Sequence, residues 1–133
     1  MSLWNTGPGK RAQRTRQYQW KLDQTGSVTL DVNGNGQFQL APGGAREKWT
    51  VNYVSVTMTN TIPNSVNVAQ MVLYRSSAQP GNQLSGTSFA NMDADSQSVY
   101  AFNMGEPVVF VFSGGDPGSI GTVHIEGIRY VWE

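Results

Sequence analysis

The sequence predicts an all-β domain: a two-sheet antiparallel sandwich of jelly-roll type, carrying an extended N-terminal arm. Three observations predict it. From Tyr18 to Trp132, apolar and polar residues alternate at period two in short segments. Turn clusters such as Asn33-Gly34-Asn35-Gly36, Pro42-Gly43-Gly44 and Gly114-Gly115-Asp116-Pro117-Gly118 separate those segments. No segment of helical period is long enough to name, and seven to nine short strands with frequent turns mean a sandwich or barrel.

Taken in order, residues 1–17 hold Gly7-Pro8-Gly9 and then alternating basic and polar side chains, which read as an extended basic arm, mobile when alone. The domain spans 18–133. Tyr18, Trp20 and Leu22 alternate with Gln19, Lys21 and Asp23 as a first strand. Val28, Leu30 and Val32, then Phe38 and Leu40, flank Asn33-Gly34-Asn35-Gly36, and Asn-Gly supplies the positive φ of a tight turn, so a hairpin is expected there. In the long strand that follows, Trp49, Val51 and Tyr53 share one phase and Val54, Val56 and Met58 the other, the signature of a β-bulge. Thr61-Ile62-Pro63-Asn64 turns into Val66–Arg75, apolar on both faces at its centre and expected inside a sheet. Residues 76–97 are loose, with room for one short strand near Thr87–Asn91. Val99–Phe102, the buried run Val108–Phe112 and Thr122–Trp132 complete the set, with Gly127 at a change of phase in the last.

Composition narrows the function classes. At 133 residues the chain suits one domain with one core. It has no cysteine, so disulfides and thiolate chemistry are absent, and one histidine, His124. The longest strongly apolar run, Val108 to Phe112, is far shorter than the ~20 residues of a spanning helix, so no membrane partner is expected. The N-terminus lacks the apolar stretch of a signal peptide, and synthesis in a cytoplasm is expected. Charge balances overall but not along the chain. Residues 1–21 carry Lys10, Arg11, Arg14, Arg16 and Lys21 and no acid; the rest carries nine acids and four bases, a net of −5. This is a basic arm on a mildly acidic body.

No motif proposes catalysis or a cofactor. His124 sits mid-strand between Val123 and Ile125; as a general base it needs a partner that the sequence does not name, and a solvent-facing or hydrogen-bonded structural histidine explains it better. Asp31, Asn33 and Asn35 match the opening of a calcium loop. Its twelfth position is Pro42 rather than Glu and no helices flank it, so a turn is the favoured reading. Asp93, Asp95 and Asp116 could form a carboxylate pair only if folding held them across a cleft. The chain therefore reads as non-enzymatic.

The arm mixes Lys10, Arg11, Arg14 and Arg16 with amides and aromatics. Its few charges and the acidic body disfavour nucleic acid and favour docking on a protein surface. Trp4 has no core of its own to enter and reads as an anchor in a neighbouring subunit. Trp49 and Trp132 are expected in the core, while Trp20 fits either core or surface.

From Trp49 to the C-terminus, 85 residues, the order of elements resembles small jelly-roll virion proteins of tailed phages infecting actinobacteria. The resemblance rests on the strand Trp49–Val56, on Met71-Val72-Leu73-Tyr74-Arg75-Ser76-Ser77 before a Pro-Gly loop, and on the Gly86-Thr87 loop. It continues through Gly105-Glu106 before Pro107–Phe112, the turn Ser113–Gly118 and the closing strand. It implies a structural virion protein, a capsid decoration or a tail or baseplate appendage, without enzyme activity. Such a subunit would be assembled in the host cytoplasm and would pack with itself as a homo-oligomer and with other virion proteins, its arm fastening it to neighbours. The alternative is a carbohydrate-binding module or receptor-binding tip that presents loops 76–97 and 114–119 to a host-surface glycan.

Overall fold

The computed structural model describes residues 16–44, 46–59, 67, 69–89, 92–95 and 99–132. Nine strands run through them: β1 (Gln17–Thr29), β2 (Gly36–Leu40), β3 (Glu47–Thr59), β4 (Ala69–Arg75), β5 (Gln83–Phe89), β6 (Met92–Asp95), β7 (Tyr100–Phe102), β8 (Val108–Ser113) and β9 (Ile120–Trp132), with a 3-10 turn at Pro80–Asn82.

The strands form two antiparallel sheets. One has the order β1-β9-β3, with β6 and β7 along successive stretches of β3's far side; the other has the order β2-β8-β4-β5. The pairing is nested. First strand bonds to last, second to next-to-last, third to β6 and β7, and β4 to β5. A long hairpin folded double in this way is the jelly-roll arrangement, and the sandwich expected from the sequence is the fold observed.

The core lies between the sheets. Val51, Val54, Val56, Met58, Val123 and Ile125 of the first sheet join Met71, Leu73, Val108, Phe110 and Phe112 of the second in one buried cluster. Phe38 caps it, its ring centroid 5.0 Å from that of Phe110. Burying one such side chain stabilises the fold by roughly 2–3 kcal/mol, which is why period-two alternation decides register.

The change of phase in β3 has a local cause. Glu126 pairs with Tyr53 but Gly127 pairs with Val51, so Asn52 is an extra residue. That bulge carries Trp49 and Val51, and then Val54, Val56 and Met58, all to the core. Gly127 is required here, because a Cβ at this position would lie 1.8 Å from the Thr50 carbonyl oxygen.

Several expectations need correction. Asn33-Gly34-Asn35-Gly36 does not close a hairpin: β1 pairs with β9 and β2 with β8, so the turn carries the chain between sheets. A Gly-rich turn signals reversal but not which sheet receives the next strand. Residues 76–97 are not one loose stretch. They contain β5 and β6, whose small polar residues give no hydrophobic alternation and which pair with β4 and β3. Asp93 and Asp95 thus occupy a strand, opposite Val56 and Val54, and not a loop edge. Trp132 is half-buried at the end of β9, outside the core, whereas Trp49 is 3% exposed and within it.

Candidate docking surface

The first sheet is longer than the second. β1, β3 and β9 have 13 residues each, against five, seven and six in β2, β4 and β8. The later half of β1 lies against β2: Phe38 crowds Gly26, and Val28 crowds Gly36. Only the outermost residues of this longer sheet, 17–21 and 128–132, therefore form a projecting end; Leu22 and Trp49 stay in the core. Trp20, 56% exposed, stands here on the same face as half-buried Tyr18, Arg129 and Val131, while half-buried Ile128, Tyr130 and Trp132 lie on the opposite, outer face.

The projection is braced by a buried carboxylate. Glu47 Oε2 accepts from Trp49 Nε1 at 2.7 Å and from Arg129 Nε at 3.0 Å, while Oε1 accepts from the Gly44 N–H at 3.1 Å. Burial pushes the carboxyl pKa up, but the bonds from Trp49, Arg129 and Gly44 outweigh it, and the net position lies below the ordinary value. The Trp132 N–H also donates to the Arg46 carbonyl at 3.0 Å. The end of β9 is thus pinned to the start of β3.

Of the residues expected to dock a partner, Trp4, Lys10, Arg11 and Arg14 lie outside the described residues. Arg16 is described and exposed, one residue before β1. β1 begins at Gln17, the last residue of the expected arm.

His124 is on the outer face of the same sheet and does have partners. Thr25 Oγ1 lies 2.9 Å from Nδ1; Glu126 Oε2 lies 2.8 Å and Asp23 Oδ1 3.4 Å from Nε2. The Tyr53 ring meets the imidazole edge-on. Register creates this cluster: β1–β9 pairing sets Thr25 opposite His124 and Asp23 opposite Glu126, neighbours that no linear spacing reveals. Hydroxyl, imidazole and carboxylate in that sequence resemble a nucleophile with its base. Here they stand on the outer face of the sheet, on a strand paired along both of its edges.

The turns at the opposite end serve structure. Asp31 Oδ1 accepts from the N–H groups of Asn33 and Asn35 at 2.9 and 3.0 Å, so the carboxylate of the calcium candidate is folded onto its own loop. Gly34, at φ 76°, packs on Gly115, whose N–H donates to the Gly34 carbonyl at 3.1 Å. Asp116 is 2% exposed, its Oδ1 bonded to Asn67 Nδ2. It presents no carboxylate to solvent. Among the described residues no group of three or more His, Asp or Glu could hold a metal ion. The exposed turn 76–82 follows β4, whose Arg75 pairs with Val108, whereas turn 114–119 follows Ser113, paired with Gln70. Turns 76–82 and 114–119 thus occupy opposite ends of the sandwich.

No protein-family model matches this chain, and no curated protein matches its sequence.

Proposed function

We propose that this chain is a non-enzymatic structural protein of a tailed-phage virion, a jelly-roll subunit docked through its N-terminal arm onto neighbouring capsid or tail subunits. The observation that carries the reading is the root of the arm. Arg16, the last basic residue of the arm's sequence, directly precedes β1, and Trp20 of that strand is open to a neighbour. Aromatic side chains beside basic residues are the composition of interface anchors. The resemblance of residues 49–133 to jelly-roll virion proteins supplies the setting.

Removing residues 1–16 leaves β1 intact, so it is a cleaner test than any cut reaching into the strand. The truncated chain is expected to fold with an unchanged thermal midpoint and to fail to enter particles assembled with it in place of the full chain. Full incorporation of the truncated chain refutes arm-mediated docking.

A further inference from the structure

β1 is hydrogen-bonded only to β9; among the described residues no strand covers its other edge. Over residues 17–25 every residue except Tyr18 and Leu22 is exposed. An open edge is a template for another strand, and proteins usually blunt it with Pro, a bulge or clustered charge. β1 has none of these. Its register with β9 runs unbroken for 13 residues, it contains no proline, and its only charged residues are Lys21 and Asp23, one of each sign.

We propose that the β1 edge is a self-association seam: two copies of this chain pair β1 antiparallel about a two-fold axis at Leu22, joining their longer sheets into one. Charge fixes the register. With Leu22 opposite Leu22 of the second copy, Lys21 stands opposite Asp23 and Asp23 opposite Lys21, on one face of the joint sheet. Directly opposed residues of opposite charge stabilise an antiparallel pair, and like charges destabilise it. Moving the axis one residue toward the N-terminus places Lys21 against Lys21. Moving it one residue the other way places Asp23 against Asp23. A shift of two residues in either direction sets both charges against neutral side chains. Only the Leu22-centred register among these pairs opposite charges, and it does so twice. It also sets Trp20, the most exposed ring of the projection, opposite Gln24 of the second copy. An isologous contact of this kind closes as a dimer and cannot propagate. The seam rests on the sheet edge and not on the virion reading, so either can fail alone.

Charge exchange in the full chain tests it. The K21D chain carries two acids at the seam and the D23K chain two bases; each alone is expected to dimerise roughly 10–100-fold more weakly than the parent chain by sedimentation equilibrium. The double exchange K21D/D23K restores opposite pairing and should recover the parent dimer. Mixing the two single variants should give a heterodimer. A parent chain that stays monomeric at several hundred micromolar overturns the proposal. So does a parent dimer that both single exchanges leave unchanged, or a double exchange that fails to recover it while circular dichroism shows a folded sandwich.

Discussion

Replacing Glu47 should loosen the projecting end of the sheet by an amount that its partners allow to be worked out. Glu47→Ala removes the acceptor for the Trp49 indole N–H, which belongs to a side chain only 3% exposed and has no water to replace the loss. An orphaned buried donor costs about 1–3 kcal/mol, and the lost methylene packing adds about 1 kcal/mol. Arg129, 41% exposed at its side chain, rehydrates at little cost. The sum is about 2–4 kcal/mol, a fall in thermal midpoint of roughly 10 °C for a domain of this size. Glu47→Gln keeps one oxygen for the indole but turns an amide N–H toward either Gly44 or Arg129, for a loss of about 1–2 kcal/mol.

The pH dependence separates the charge from the packing. The Glu47 carboxyl titrates below its ordinary value of 4.5 in the folded chain. Its contribution is therefore fully present above that value and is lost as pH falls through the lower, folded pKa. Urea unfolding followed from pH 7 to pH 3 should show the parent chain losing stability below about pH 4.5, with a shallower acid limb in Glu47→Gln. A Glu47→Ala chain within 0.5 kcal/mol of the parent at pH 7, or identical acid limbs in parent and Glu47→Gln, would refute the brace.

Two further substitutions probe the sandwich and its bulge. Phe110→Ala empties a fully buried site between the sheets and should cost about 3–5 kcal/mol in urea unfolding, without changing the cooperativity. Gly127→Ala drives a Cβ into the Thr50 carbonyl and should cost about 2 kcal/mol or more, with amide exchange accelerating selectively in residues 47–50 and 127–132.

How far the sequence reveals this molecule depends on which contacts alternation encodes. β3, β4, β8 and β9 bury one face or both, so Trp49, Val56, Met71, Phe110 and Val123 announce them at period two. Even the bulge is legible, because Val51 and Val54 both need the core and only an extra residue serves both. β5 and β6 leave no such trace. Their pairing rests on backbone groups that every residue carries, and their small polar side chains read as loop. The Asn33–Gly36 turn was legible as a reversal but not as a passage between sheets. That distinction depends on β9, which arrives some ninety residues later to take β1's hydrogen bonds. The Asp23–His124–Glu126 cluster and the Glu47–Trp49–Arg129 brace depend on the same late pairing. Trp132 misled for a related reason: its alternation with Tyr130 and Ile128 is genuine, but the register with β1 and β3 turns Gly127, Arg129 and Val131 toward the core and leaves those three on the outer face.

The greater length of the first sheet connects fold to proposed role. Had β1 ended with β2, an arm leaving its N-terminus would emerge at the rim of the core, and a load on it would peel the sheets apart. Instead β1 continues to Gln17, bonded throughout to β9, which is in turn bonded to β3 and tied by Trp132 and Arg129 to Arg46 and Glu47. A pull applied along β1 from its N-terminal end loads its 13-residue register with β9 in shear, where the hydrogen bonds share the force and do not fail one by one. The same geometry leaves one side of β1 open while its other side is anchored. A strand held firmly on one edge and free on the other is suited to accept a second copy without disturbing the domain behind it.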